Sequence, residues 1–162
     1  MKKIYKSIIL FSVGGLVYIL LEILWRMMMN RPPTHWAMFI VGGLAFLIIG
    51  GINEYFACDL PLVVQSFIGT IVIVSLEFIS GCILNIWLDL CIWDYSNIPF
   101  NVLGQICLPF AVAWFVLATV AIIVDDCCRY IFFKEEMPRY QLWFSVLNNE
   151  KRKENNYGKK RH

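Results

Sequence analysis

Charge is scarce in this sequence: Asp, Glu, Lys and Arg make up 16% of its 162 residues, against about 25% in soluble domains. Between Lys6 and Arg129 the only basic residues are Arg26 and Arg31. A nucleic-acid binder displays its cations on a folded face, whereas twelve of the fourteen Lys and Arg here lie before residue 7 or after residue 128, which excludes that class. No GxxxxGK[ST] loop is present, so the chain does not hydrolyse ATP as a P-loop protein does. The six cysteines form no CxxC and no spacing with His35 or His162 that would hold zinc, so no metal and no cofactor is expected. Nor is there a nucleophile set beside a base, and no catalytic residue is assigned.

What remains is apolar. Hydrophobic residues make up 59% of the chain and fall into long runs instead of a helical or strand period, the pattern of a chain dissolved in lipid. The fold class read from these runs is all-α, a polytopic membrane protein with transmembrane helices over about 8–29, 36–55, 62–86 and 101–124. Together they make a membrane domain over residues 1–133. The first run resembles a signal peptide but has no small-residue cleavage site and continues through Glu22-Ile-Leu-Trp-Arg26, so an uncleaved helix is expected. Pro32-Pro33 stops it. The third run is rich in β-branched residues, yet lipid requires backbone bonds to close within a helix. Asn101 is the expected N-cap of the fourth.

Beyond Asp125-Asp126 the chain becomes mixed. Residues 134–147 read as an amphipathic segment lying in the membrane interface, and 148–162 as a disordered basic tail. Basic residues mark the cytoplasmic side, and both ends carry the excess. The expected location is the bacterial cytoplasmic membrane, crossed several times, with both termini inside and the lipid bilayer as the first partner.

That orientation places the buried polar residues. Glu22 lies about 21 Å up the first helix and Glu77 about 22 Å up the third, both in the outer half. Arg26 follows Glu22 by one turn, an acid-to-base pair in the favourable order. Asn101 and Gln105 would begin the fourth helix at the same level, with Asp94 above them, while the inner halves would hold no ionisable residue. Small and polar residues also share one stripe of the third helix: Ser66, Gly69-Thr70, Ile73, Glu77, Ser80-Gly81 and Asn85. Such stripes let helices approach closely in lipid. Two readings of the acids stand together. A Glu–Arg pair can simply fix register, or two acids sharing one Arg leave a carboxylate for a cation or substrate. The candidate binding set is Glu22, Arg26, Glu77, Asp94, Asn101 and Gln105. The loop above it, with Trp93, Tyr95, Ser96 and Pro99, is either an aromatic belt or a gate.

Leu76-Glu-Phe-x-x-Gly81, then Trp93-Asp-Tyr-Ser-x-x-Pro-Phe-Asn-x-x-Gly-Gln-Ile-Cys-Leu108, then Trp114 resemble a bacterial integral-membrane family of type-IV ABC-transporter permeases. The likeness is close from about Glu77 to Arg129 and general over the layout of four spans. It implies a transporter membrane subunit that works with a separate ATPase. Four spans are few for a translocation path, so a homo-oligomer is expected. The function read here is therefore a small permease-like protein, not an enzyme, that binds substrate or ion in a polar pocket of the outer half. The rivals are a membrane scaffold or accessory subunit, and an enzyme acting on lipid or cell-wall intermediates through the two acids.

Overall fold

The computed structural model describes residues 2–52, 60–136 and 140. They are mostly helical. Helix α1 spans Lys2–Met28, α2 Ala37–Gly50, α3 Leu62–Gly81 and α4 Leu108–Phe133. A wider π-turn, Cys82–Trp87, prolongs α3. The apolar stretches Lys3–Met28, Leu62–Trp87 and Leu108–Phe133 have 26 residues each. At about 1.5 Å per residue such a stretch reaches roughly 39 Å, more than a hydrocarbon core of about 30 Å. Helix α2 is shorter, with 14 residues against the predicted 36–55; residues 53–55 fall outside the described set.

Consecutive helices run antiparallel, and glycines decide how closely they approach. A Cβ on Gly14 or Gly15 would strike Phe46 or Phe39 of α2, and one on Gly42 or Gly43 would strike Tyr18 or Phe11 of α1. On α3 and α4 the meeting points are Glu77 with Trp114, Ser66 with Thr119, and Gly69 with Ala118. The bundle closes through Gly50 of α2 against Asp125 of α4, and through Tyr18 of α1 stacked on Trp114. Ile49, Ile52, Leu62, Ile73, Ala118 and Ile122 form the apolar core. Outward, Leu16, Leu20 and Leu24 on α1, Phe67 and Ile71 on α3, and Val112, Val116 and Val120 on α4 are exposed at intervals of four. Continuous apolar stripes of that size belong against lipid. The molecule is a multi-pass membrane protein.

Two expectations change. The fourth helix does not begin at Asn101: Asn101–Val102 pairs with Ile106–Cys107 in a small antiparallel hairpin, and α4 starts at Leu108. Leu103 and Gly104 turn with φ of 53° and 67°, which no helix accommodates, and Pro109 suits a first helical turn because it lacks an N–H. Asn101 is therefore no N-cap. At its other end α4 continues past Asp125-Asp126 to Phe133, where Lys134 closes it in the left-handed conformation with φ 56°. The interfacial segment predicted over 134–147 and the tail over 148–162 lie largely or wholly outside the described residues.

Candidate functional site

The end of the bundle that carries the loop gathers most of the predicted polar residues, in separate groups. Glu77 is buried, 7% exposed, on the inward stripe of α3. The Tyr95 hydroxyl donates to its Oε1 at 3.0 Å and the Trp114 indole N–H to its Oε2 at 2.8 Å. Both donors are neutral. Tyr18 stacks on Trp114 with centroids 6.1 Å apart, and Phe110 stacks on Tyr95 at 4.7 Å. Trp25 meets Phe110 edge-on at 6.0 Å. Tyr18 also lies within electrostatic reach of Glu22, Glu77 and Arg26.

Arg26 serves Glu22 and not Glu77. Its Nε donates to Glu22 Oε1 at 2.8 Å, while its other nitrogens donate to the carbonyls of Pro32 (2.9 Å) and Ile92 (3.0 Å). Thr34 donates to the second oxygen of Glu22 at 2.5 Å. The pair thus fastens α1 to the link after it and to the long loop. A pair so thoroughly bonded, with side chains only 14% and 11% exposed, fixes architecture.

The loop is built to be held. In the π-turn, Asn85 Nδ2 donates to the Trp93 carbonyl (3.0 Å) and to Gln105 Oε1 (2.8 Å), and its Oδ1 accepts the Ile92 N–H (2.7 Å). The Trp93 indole donates to the Gln105 carbonyl at 3.0 Å. Gly81 leaves room for the Gln105 amide, whose Oε1 would lie 2.6 Å from any Cβ there. Asn101 donates to the carbonyls of Ser96 (3.2 Å) and Ile98 (2.7 Å) and accepts the Gly104 N–H (3.1 Å). Asp94 is exposed and accepts both the hydroxyl (2.5 Å) and N–H (2.8 Å) of Ser96. Those bonds hold its carboxyl below the usual range. Burial, reinforced by the Glu77 carboxylate, pushes the Tyr95 phenol up, so it remains a donor. Pro99 is exposed beside them.

Of the predicted set, then, Glu77 and Tyr95 meet directly, Glu22 and Arg26 pair beside them, and Trp93 and Gln105 join Asn85. Asp94, Ser96 and Asn101 shape the loop's own turns. The direct partner of Glu77 that the predicted set omits is Trp114 on α4, and Tyr18 of α1 joins it at one remove by stacking on Trp114.

A second polar group lies at the opposite end, where α1 begins and α4 finishes, although no ionisable residues were expected in the helices there. Asp125 is fully buried, Asp126 and Arg129 are 5% and 7% exposed. Arg129 pairs with Asp125 one turn back and approaches Glu135 at 3.8 Å, and Lys6 of α1 bonds Glu135 at 2.7 Å. The Tyr140 hydroxyl donates to Asp126 at 2.5 Å. Asp125 Oδ1 has no hydrogen-bond partner among the described residues and lies in the notch left by Gly50. The signal was present in the sequence as an acid and an Arg four residues apart, the same spacing as Glu22 and Arg26.

Among the described residues no group of three or more His, Cys, Asp or Glu side chains could hold a metal ion. The arrangement contains a buried acid, a well-bonded loop that reaches it through Tyr95, and aromatic side chains around it.

The family model described as Putative ABC-transporter type IV matches residues 7–147. The chain belongs to that family. The match includes all four helices except the first residues of α1, together with the loop and its anchors. No solved structure matches the chain. Membership of this ABC-transporter family and the membrane-length helices agree on a transmembrane, permease-like protein.

Proposed function

We propose that this family member is a membrane subunit of a transport system that takes a cationic ligand at Glu77, beneath the loop from Trp93 to Asn101. The observation that carries the reading is the state of that acid. Glu77 sits inside an apolar bundle with two neutral donors and, among the described residues, no Lys or Arg bonded to it, Arg26 being spent on Glu22. A charged side chain at the centre of a membrane helix costs about 2.5–3.5 kcal/mol on insertion scales, and burial without a counter-ion is retained where function needs it. Tyr95 connects the acid to the loop, so movement of the loop and occupancy of the acid would be coupled.

The basic residues at both ends favour cytoplasmic termini and a loop facing outward. Binding and conformational change, not bond chemistry, are the mechanism. Energy would come from a separate ATPase or an ion gradient, and a homo-oligomer would supply the further helices of a path. The test is Glu77→Gln, which removes the charge but keeps the shape: its amide oxygen can accept the Trp114 N–H and its NH2 can donate to the Tyr95 hydroxyl oxygen. The variant is expected to insert and melt like the parent while uptake or export falls to the level of a deletion strain. A fully active Glu77→Gln variant would overturn the reading and leave an accessory or scaffolding role.

A further inference from the structure

The surroundings of Glu77 go further than a charge preference, and this step rests on the reading just given. We infer that the cation the site takes is an organic ammonium ion and not a metal ion. A metal cation of the alkali or alkaline-earth type asks for several oxygen ligands. Among the described residues no second acid bonds at Glu77: Glu22, the nearest in height, is committed to Arg26 and Thr34, and no metal-holding cluster occurs.

What surrounds the carboxylate is aromatic. Its two oxygens join two ring stacks, Tyr18 on Trp114 and Tyr95 on Phe110, with Trp25 set edge-on behind Phe110. An ionised carboxylate has about four acceptor positions, of which these bonds use two. An alkylammonium group matches what remains. Its charge answers the acid, an N–H can reach a free lone pair, and its carbons would pack among the aromatic side chains around the acid and gain cation–π attraction, which a hydrated metal ion forgoes. Tyr95 belongs to the loop, so the same residue that bonds the acid would have to shift to admit the ligand.

The full chain, purified in detergent, can be titrated with trimethylammonium, dimethylammonium, sodium and magnesium chlorides at matched ionic strength, following thermal unfolding. The ammonium salts are expected to raise the melting temperature in a saturable way, and sodium and magnesium are not. The effect should vanish in Glu77→Gln, weaken about tenfold in Tyr18→Leu and persist in Tyr18→Phe, which keeps the ring. Saturable, Glu77-dependent protection by sodium or magnesium in place of the ammonium ions would overturn this inference while leaving the cation site standing. Equal ammonium affinity in Tyr18→Leu and Tyr18→Phe would overturn it too. If no cation protects, both the inference and the reading beneath it fall.

Discussion

Gly50 and Gly69 both lie where two helices meet, yet alanine should be received very differently at the two. At Gly50 a methyl would occupy the place of the Asp125 carboxylate, which is already fixed by Arg129 on the same helix. Gly50→Ala is expected to destabilise by about 1–3 kcal/mol, the range for overpacked cores. At Gly69 the nearest atom would be the Ala118 methyl at 3.2 Å, which a few tenths of an ångström relieve. Gly69→Ala should therefore melt within a few degrees of the parent, and the two variants can be compared in one detergent-melting experiment. Equal melting temperatures would contradict the contact assigned to Asp125. The same residues mark a limit of sequence reading. Asp125-Asp126 looked like the end of the last span because charge normally stops one. A fully buried acid becomes plausible only once Arg129 is seen on the same face and Gly50 is known to make room.

Between residue and bundle stands the loop with its anchors, and here a single side chain outweighs its neighbours. Asn85→Ala removes three bonds at once and strands Gln105 Oε1 and the Ile92 N–H in a partly buried place. The expected cost is about 1–3 kcal/mol, felt locally, since the bundle keeps its glycine contacts. Limited proteolysis is the sensitive readout: cutting within residues 88–100 should speed up while the main melting transition hardly moves. Unchanged proteolysis would show that the loop is held by something else. The inward stripe of α3 was legible from its small and polar residues because their spacing repeats every three or four positions. Ser66, Gly69, Ile73, Glu77 and Gly81 are buried, as is Asn85 in the π-turn, while Thr70 and Ser80 are half-buried and Leu62 and Gln65 join the buried face unpredicted. The hairpin was not. Its left-handed turn uses Leu103 as well as Gly104, and a leucine there carries no turn signal. Asn101, read as a helix cap, makes cap-like bonds to the turn instead.

At the scale of the molecule, membrane helices and their order followed from the apolar runs, since lipid leaves the backbone no other solution. Their pairing did not, because it depends on which glycine faces which ring. Glu77 was identified by its position inside a run, but its aromatic partners come from two other segments, α4 and the loop, and only folding assembles them. The central claim is that this assembled acid opens toward the outside of the cell, with the charged group at Asp125 toward the cytoplasm. Cys91 offers a native reporter: it is exposed in the loop, while Cys127 and Cys128 lie half-buried at the opposite end. Intact cells treated with a membrane-impermeant thiol reagent should label the protein, and the label should disappear in Cys91→Ser. Labelling of Cys91 only after the cells are broken open would contradict the account.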